Sequence, residues 1–135
     1  MEYEEKKARR RLSYHMKTHG AKAYRMKLLE QKSYFKTIVT IPAPAPDEDI
    51  EDAKARRVNR REKAEKMSAA FQNEIRRAWS KTHKQQSIII ITLGAISQKD
   101  NLAKYRCEIH QLNMDKETMN EFKEVCERVI FGNTE

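Results

Sequence analysis

SIIIITL (residues 87–93) is the stretch of sequence that decides the fold. Four consecutive isoleucines followed by threonine and leucine make it an almost unbroken apolar run of mostly β-branched side chains. Such side chains pack well on a pleated surface, and a run without alternating polar residues is typical of a strand covered on both faces. The sequence therefore predicts a strand whose two faces are both buried.

The residues that follow predict the partner of this strand. GAISQKDN (94–101) has the composition of a turn, and residues 102–111 alternate between apolar and polar side chains. The apolar set is Ala103, Tyr105, Cys107 and Ile109, and the polar set is Lys104, Arg106, Glu108 and His110. A period of two indicates a half-buried strand, so we expect an antiparallel hairpin with one face exposed to water.

A third strand is predicted upstream, in SYFKTIVTI (33–41). The residues that share one of its faces are Phe35, Thr37, Val39 and Ile41. The strand stops at Pro42, which cannot donate to a strand ladder. PAPAP (42–46) is then expected to form a short, stiff connector.

A long helix is predicted to follow the connector. DEDIED (47–52) is expected to open it, because acidic side chains stabilise the positive end of a helix dipole, and the helix should run to about Lys81. Its core-facing stripe is predicted to be Ala64, Met67, Phe71, Ile75, Ala78 and Trp79. The stretch RRVNRR (56–61) is too basic to be buried, so we expect the helix to project beyond the core there.

A last helix is predicted from about Met114 to Phe131, with Gly132 ending it. Its buried side is expected to comprise Met119, Phe122, Cys126 and Val129. The fold class is therefore α+β, with a small three-stranded sheet made of one strand and a β-hairpin, and with the long helix and the C-terminal helix. The predicted organisation is a basic helical arm over residues 1–33, rich in helix formers, and a compact α+β domain over residues 34–135.

Positive charge is concentrated towards the N-terminus. The net charge is +8, and residues 1–36 alone hold eleven Lys and Arg against four Glu. Residues 37–86 hold eleven basic residues against eight acidic ones, whereas residues 87–135 hold six against eight. This asymmetry suggests a polyanion or an acidic protein surface as the partner.

Two groups of side chains are the candidate binding residues. The first, in the arm, comprises Lys6, Lys7, Arg9, Arg10, Arg11, Tyr14, Lys17, Lys22, Tyr24, Arg25 and Lys27. The second comprises Arg56, Arg57, Arg60 and Arg61. Basic side chains neutralise phosphates, tyrosines stack on exposed bases, and the guanidinium fork matches phosphate geometry. A solvated charged face is the alternative explanation for both groups.

The arm also contains half of a zinc-finger pattern, in LSYHMKTHGAKAY (12–24). His15 and His19 have the right spacing, but the two cysteines that a finger needs before them are missing. Two histidines cannot close a tetrahedral structural site, so no metal is predicted. A helix-turn-helix with Gly20 in its turn is an alternative for this region, although a third helix that would complete it is not evident.

Catalysis and cofactor binding find little support in the sequence. Cys107 and His110 lie three residues apart on one predicted strand, so their side chains point to opposite faces. The three glycines are too far apart for a glycine-rich phosphate loop or the GxxG loop of a KH domain. No catalytic residue, cofactor or metal is therefore predicted, and the chain is not expected to be an enzyme.

The predicted function is a small nucleic-acid-binding accessory protein that grips the phosphate backbone of DNA or RNA through the arm and the second arginine cluster. The alternative is a protein-binding modulator or inhibitor, of the viral or mobile-element type, that docks on a nucleic-acid-handling machine. A homodimer through the apolar stripe of the long helix is a further alternative. Two cysteines in apolar patterns, without a secretory signal or a membrane-length apolar run, predict a cytoplasmic protein that does not engage a membrane.

Overall fold

The computed structural model of the chain describes residues 33–133. These residues form a three-stranded antiparallel sheet with two helices packed on one of its faces. In chain order the elements are β1 (Tyr34–Pro42), α1 (Ala53–Thr82), β2 (Ser87–Ser97), β3 (Leu102–Gln111) and α2 (Lys116–Phe131). The α+β fold class is thereby confirmed, while the predicted helical arm lies outside the described residues.

The strand β3 lies in the centre of the sheet, although it is the last strand in sequence. The strand order is β1-β3-β2, and both pairings are antiparallel. The register aligns Val39 with Tyr105, and Tyr105 with Leu93. Because side chains alternate across a strand, these residues and those two positions away form one face, which we call the inner face. Their immediate neighbours in sequence form the outer face.

The predicted hairpin is confirmed, but its turn is shorter than expected. β2 continues to Ser97, with an irregularity in its pairing between Leu93 and Ile96. Part of GAISQKDN (94–101) therefore belongs to the strand. Asn101 lies in the turn with a φ of 55°, in the left-handed region that asparagine tolerates better than most residues.

The prediction that DEDIED (47–52) opens the long helix is wrong. α1 begins at Ala53 and has no acidic side chain in its first turn. Asp52 is instead the N-cap, and its side chain accepts a hydrogen bond from the Ala55 amide at 2.9 Å. A capping carboxylate satisfies an amide that the helix leaves unpaired, and this hydrogen bond fixes the start of the helix more sharply than the dipole does.

The helix α2 also starts later than predicted, because a capping carboxylate again fixes its first residue. Asp115 is its N-cap and accepts a hydrogen bond from the Thr118 amide at 2.7 Å, so the helix begins at Lys116. Hydrogen bonding to Thr118 lowers the pKa of Asp115. Gly132 ends the helix as predicted, and a Cβ at that position would lie 2.8 Å from the Arg128 carbonyl oxygen.

The inner face of the sheet and the two helices enclose the hydrophobic core. The predicted stripe of α1 is confirmed, with buried Ala64, Phe71, Ile75 and Trp79 and with partly buried Met67 and Ala78. The rings of Trp79 and Phe122 meet edge to face with centroids 5.5 Å apart. The Tyr105 hydroxyl donates to the Ala64 carbonyl oxygen at 3.1 Å, and burial raises the pKa of Tyr105 to about 12.

Side chains of α1 also protect the edge strand β2. The Ile91 amide donates to Gln72 Oε1 at 2.9 Å, and the Ile91 carbonyl oxygen accepts from Ser68 Oγ at 2.9 Å. An edge strand whose backbone groups are occupied in this way offers less to a strand of another chain. The helix therefore both covers β2 and satisfies part of its edge.

The prediction that SIIIITL (87–93) is buried on both faces is confirmed. Ile89 and Ile91 belong to the core on the inner face, and Ile88 and Ile90 are buried on the outer face. Residues 88–91 are all isoleucine, because neither face of the strand meets water there.

The prediction that β3 exposes one face to water is wrong in part. Lys104 is exposed and Arg106 is half-buried, but Glu108 and His110 are buried. Alternation of residue types shows which side chains share a face, and here the polar face is itself covered at one end. A carboxylate is seldom buried, so the cover at this end of the outer face is an unusual feature of the fold.

Candidate phosphate-binding groove

Basic side chains are concentrated on α1. Its 30 residues carry ten Lys and Arg against three Glu, whereas the other described residues carry eight basic and twelve acidic side chains. The second predicted cluster lies near the start of this helix and comprises Arg56, Arg57, Arg60 and Arg61. The predicted residues of the arm, which lie outside the described residues, are Lys6, Lys7, Arg9, Arg10, Arg11, Tyr14, Lys17, Lys22, Tyr24, Arg25 and Lys27.

The start of α1 extends beyond the core, as predicted for RRVNRR (56–61). The first buried residue of the helix is Ala64, so residues 53–63 extend about 16 Å past it at 1.5 Å per residue. In the structure the connector from β1 to α1 comprises residues 43–52, and it is fixed against this overhanging part of the helix. Lys63 Nζ donates to the Ala45 carbonyl oxygen at 2.9 Å, and the Asp47 amide donates to Asn59 Oδ1 at 2.8 Å.

Two arginines of the cluster bind the connector. Arg60 Nε donates to the Pro44 carbonyl oxygen at 2.9 Å. Arg56 Nη1 donates to the Ile50 carbonyl oxygen at 2.7 Å. Each guanidinium has five N–H donors and keeps its charge when it binds a neutral carbonyl. These two side chains are therefore positive charges held in fixed positions.

The other two arginines, Arg57 and Arg61, are exposed. Arg61 Nε lies 3.2 Å from Glu65 Oε1, in an ion pair between successive turns at the surface. Arg57 makes no hydrogen bond or ion pair with any residue in the range 33–133. The cluster predicted as one group thus divides into two anchored arginines, one ion-paired arginine and one that is available to a ligand.

Arg56, Arg57 and Arg60 line one open groove of about 510 Å³. Its other walls come from the connector, the first residue of α1 and the β2–β3 turn, through Ala43, Ala45, Pro46, Ala53, Gln98 and Asn101. Arg60 Nη1 reaches Asn101 Oδ1 at 3.3 Å, which joins the helix to the turn. Segments far apart in sequence therefore meet around three positive side chains, whereas Arg61 is not among the lining residues.

The groove is electrostatically suited to an anion. No acidic side chain is among the described residues that line it. In the connector, Asp47 Oδ1 lies 2.6 Å from Lys63 Nζ, and this hydrogen bond lowers the pKa of Asp47. That carboxylate is therefore charged and paired with Lys63. Because guanidinium forks bind phosphate through paired hydrogen bonds, a phosphate is the anion that this set of donors fits best.

Sequence reasoning missed the residues that face the arginines. Gln98 and Asn101 lie in a stretch with the composition of a turn, which locates them at the end of the hairpin but not beside α1. The carbonyl groups of Pro44 and Ile50 orient two arginines, and backbone carbonyls carry no sequence signal at all. Only the arginines themselves were identifiable from composition.

A second groove, of about 400 Å³, lies near the other end of α1. Arg77 and Lys81 of α1 and Arg128 of α2 line it together with Glu74, whose Oε2 lies 3.5 Å from Asn133 Nδ2. Sequence reasoning did not single out these residues. Because a carboxylate stands among the cations, this groove suits an anion less well than the first.

Within residues 33–133 there is no group of three or more His, Cys, Asp or Glu side chains placed to hold a metal ion. No helix in that range combines the length and the apolar character needed to cross a bilayer. Cys107 and Cys126 are free, buried thiols. A hydrogen bond with Cys107, together with burial, raises the pKa of Cys126, so this thiol stays protonated and unreactive.

The end of α1 is fastened to α2 by His83. Its ring stacks on Trp79 with centroids 3.6 Å apart, its Nδ1 lies 2.8 Å from Thr82 Oγ1, and its Nε2 lies 2.7 Å from Glu121 Oε2. His83 is also the C-cap of α1, and its amide donates to the Trp79 carbonyl oxygen. The position of the imidazole is therefore explained by two structural roles of His83: it caps the end of α1, and it joins α1 to α2.

Comparison of the chain with family models, with curated proteins and with solved structures found no match. A three-stranded sheet with two helices does not by itself identify a function, because function depends on the site that a fold carries. The groove and its charges are therefore the features of this chain that bear on its function.

Proposed function

We propose that the chain is a nucleic-acid-binding accessory protein that holds backbone phosphates in the groove at the start of α1. The observation that carries this proposal is the convergence of Arg56, Arg57 and Arg60 on one open groove that has no described acidic lining residue. Contacts to phosphates supply nearly all of the affinity in sequence-independent binding of nucleic acids. A groove of this kind supports backbone binding rather than the reading of base edges.

The three arginines have different roles in this proposal. Arg57 is exposed and provides charge-assisted hydrogen bonds to the phosphate oxygens. Arg56 and Arg60 are held by backbone carbonyls, so their remaining N–H groups are already in position beside the ligand. Side chains that are ordered before binding lose less conformational freedom when the ligand arrives, which favours affinity.

The arm is proposed to add charge of the same sign. Residues 1–32 carry ten Lys and Arg against four Glu. Each phosphate that a basic side chain neutralises releases condensed counterions from the nucleic acid, so affinity should fall steeply as salt is added. The arm and α1 would then bind one polyanion together.

Fluorescence anisotropy tests the proposal with short labelled single- and double-stranded DNA and RNA, at about 50 and about 200 mM salt. We expect salt-sensitive binding to at least one of the four polymers. The variant Arg57→Ala should bind more weakly and reduce the slope of log affinity against log salt by about one. The matched control is Arg76→Ala, because Arg76 is exposed on the same helix but does not line the groove.

The two variants distinguish a site from general charge attraction. Equal losses in Arg57→Ala and Arg76→Ala would mean that the whole basic helix attracts nucleic acid and that the groove is not a site. No binding to any of the four polymers at about 50 mM salt would reject the proposed function, because backbone binding is strongest at low salt.

A protein-docking modulator is the second candidate, and Val58 is the observation that favours it. Val58 is 52% exposed, although it lies among the basic residues at the start of α1. An apolar side chain does not contribute to the binding of a phosphate, whereas protein interfaces combine arginine with apolar side chains at their centre. Val58→Ser should leave nucleic-acid affinity unchanged if the groove serves phosphates, and it should weaken a protein complex if the same surface docks a protein.

A further inference from the structure

Several side chains on the outer face of the sheet are buried at the end where β1 begins. Ile88 lies beside His110 in the register, and Ile90 lies beside Glu108. Glu108 is 1% exposed and His110 is 3% exposed. Tyr34 lies on the other side of His110, with ring centroids 4.8 Å apart. An open sheet face leaves such side chains in contact with water, so this end of the face is covered.

The two helices do not supply this cover. α1 packs along β2, α2 packs against β1, and both helices bury their apolar side chains in the core on the inner face. The far end of the outer face shows the exposure of an uncovered position, because Ile38 is 53% exposed and Lys104 is exposed as well. The cover is therefore confined to the end of the sheet near Tyr34.

We infer that residues 1–32 dock on this end of the outer face. The chain enters the sheet there, since Ser33 is buried, its carbonyl oxygen accepts from the Gln111 amide at 3.2 Å, and β1 starts at the next residue. Three strands span about 10 Å, and eight residues of helix are about 12 Å long, so the segment has ample length.

The sequence of the segment contains an apolar stripe that fits this surface. Ala21, Tyr24 and Leu28 recur with the spacing i, i+3 and i+7, which is the sequence pattern typical of one side of an amphipathic helix. The segment carries ten basic residues against four acidic ones. Docking through the stripe buries apolar side chains and leaves basic side chains at the surface. This inference does not depend on the proposed function.

Hydrogen exchange of the full chain, measured by mass spectrometry, tests the docking. Peptides from residues 21–32 should exchange at least about tenfold more slowly than an unstructured chain. Ile90→Lys places a charge within the proposed contact and should remove this protection. Ile38→Lys is the matched control, because Ile38 lies on the uncovered part of the same face and its replacement should leave the protection unchanged.

A substitution within the segment keeps the test valid if Ile90→Lys does not fold. Leu28→Lys leaves the sequence of the sheet intact, and it should expose residues 21–32 to exchange while β3 stays protected. Unprotected residues 21–32 in the parent chain, or equal protection in the parent and in Leu28→Lys, would overturn the inference. A dimeric mass in light scattering that becomes monomeric in Ile90→Lys would assign the face to a second copy of the chain and would also overturn it.

Discussion

The two halves of α1 use one helical face for two purposes. Both residues 53–63 and residues 64–82 are rich in Lys and Arg, yet every buried residue of the helix lies in the second half. Positions 57, 64 and 71 are seven residues apart and therefore lie on nearly the same side of the helix. Ala64 and Phe71 fill the core on that side, whereas Arg57 lines the groove. The residue type changes at the point where the helix passes the core.

Trp79→Ala should cause the largest loss of stability, because it removes the largest buried side chain of the second half. Trp79 is buried, and its Nε1 donates to Gln111 Oε1 at 2.9 Å. Truncation of a buried tryptophan lowers the free energy of unfolding by about 3–5 kcal/mol. Urea denaturation followed by circular dichroism measures this change. A loss under about 1 kcal/mol, the size of an average substitution, would show that the second half is no better packed than the first.

Tyr105→Phe should have a smaller effect, at the boundary between the two halves. The Tyr105 hydroxyl donates to the carbonyl oxygen of Ala64, the first buried residue of α1. Loss of this hydrogen bond should lower the free energy of unfolding by about 1 kcal/mol near neutral pH. The measurement is again urea denaturation, and an unchanged midpoint would mean that the hydroxyl does not secure the helix to the sheet.

The same variant should change the pH dependence of stability above pH 10. Burial raises the pKa of Tyr105 from an ordinary 10.0 to about 12. The unfolded chain loses this proton first, so the stabilisation is complete below pH 10 and is lost as the pH rises towards 12. Urea denaturation at about pH 8 and about pH 11 should show a larger loss in the parent than in Tyr105→Phe. Equal losses of stability in the parent and in Tyr105→Phe would contradict the raised pKa of Tyr105.

Asp52→Ala should weaken the first half of α1 by removing its N-cap. Substitution of a capping carboxylate by alanine lowers the free energy of unfolding by about 1 kcal/mol. Asp49→Ala is the control, because Asp49 is exposed in the connector and precedes the helix. If the two variants lost the same stability, the general negative charge of residues 47–52 would matter more than the cap.

Arg57→Ala should have the smallest effect on stability, within about 0.5 kcal/mol, because exposed side chains without partners contribute little. The same substitution should nevertheless weaken nucleic-acid binding. Thermal denaturation and anisotropy on one preparation compare the two properties. A large loss of stability would show that Arg57 belongs to the fold and would remove the contrast between the two halves.

The strands and the core stripe of α1 could be predicted because their signals are local. A period of two marks β1 and β3, a run of isoleucines marks β2, and the spacing of Ala64, Phe71 and Ile75 marks the buried side of the helix. The start of α1 was predicted too early, because residues 47–52 contain several acidic side chains and each of them is a candidate N-cap. Only the contact from Asp52 to the Ala55 amide decides between them.

The groove and the burial of Glu108 on the outer face were not predictable from local sequence patterns. Arg60 and Asn101 meet across the groove, and no local pattern relates them. For Glu108, alternation indicated the face on which it lies but carried no information about what covers that face. The arginine cluster was recognisable as charged, while its division into anchored and available side chains depends on the connector.

The central position of β3 has a consequence for how the chain folds. β1 leaves the ribosome long before its partner, since Tyr34 pairs with His110. The β2–β3 hairpin joins neighbours in sequence and closes quickly, whereas β1 must wait for a long loop, including all of α1, to close. Addition of β1 to the finished hairpin should therefore be the late, slow step of folding. A chain that is interrupted before β3 would leave β1 as an unpaired strand, free to pair with other chains.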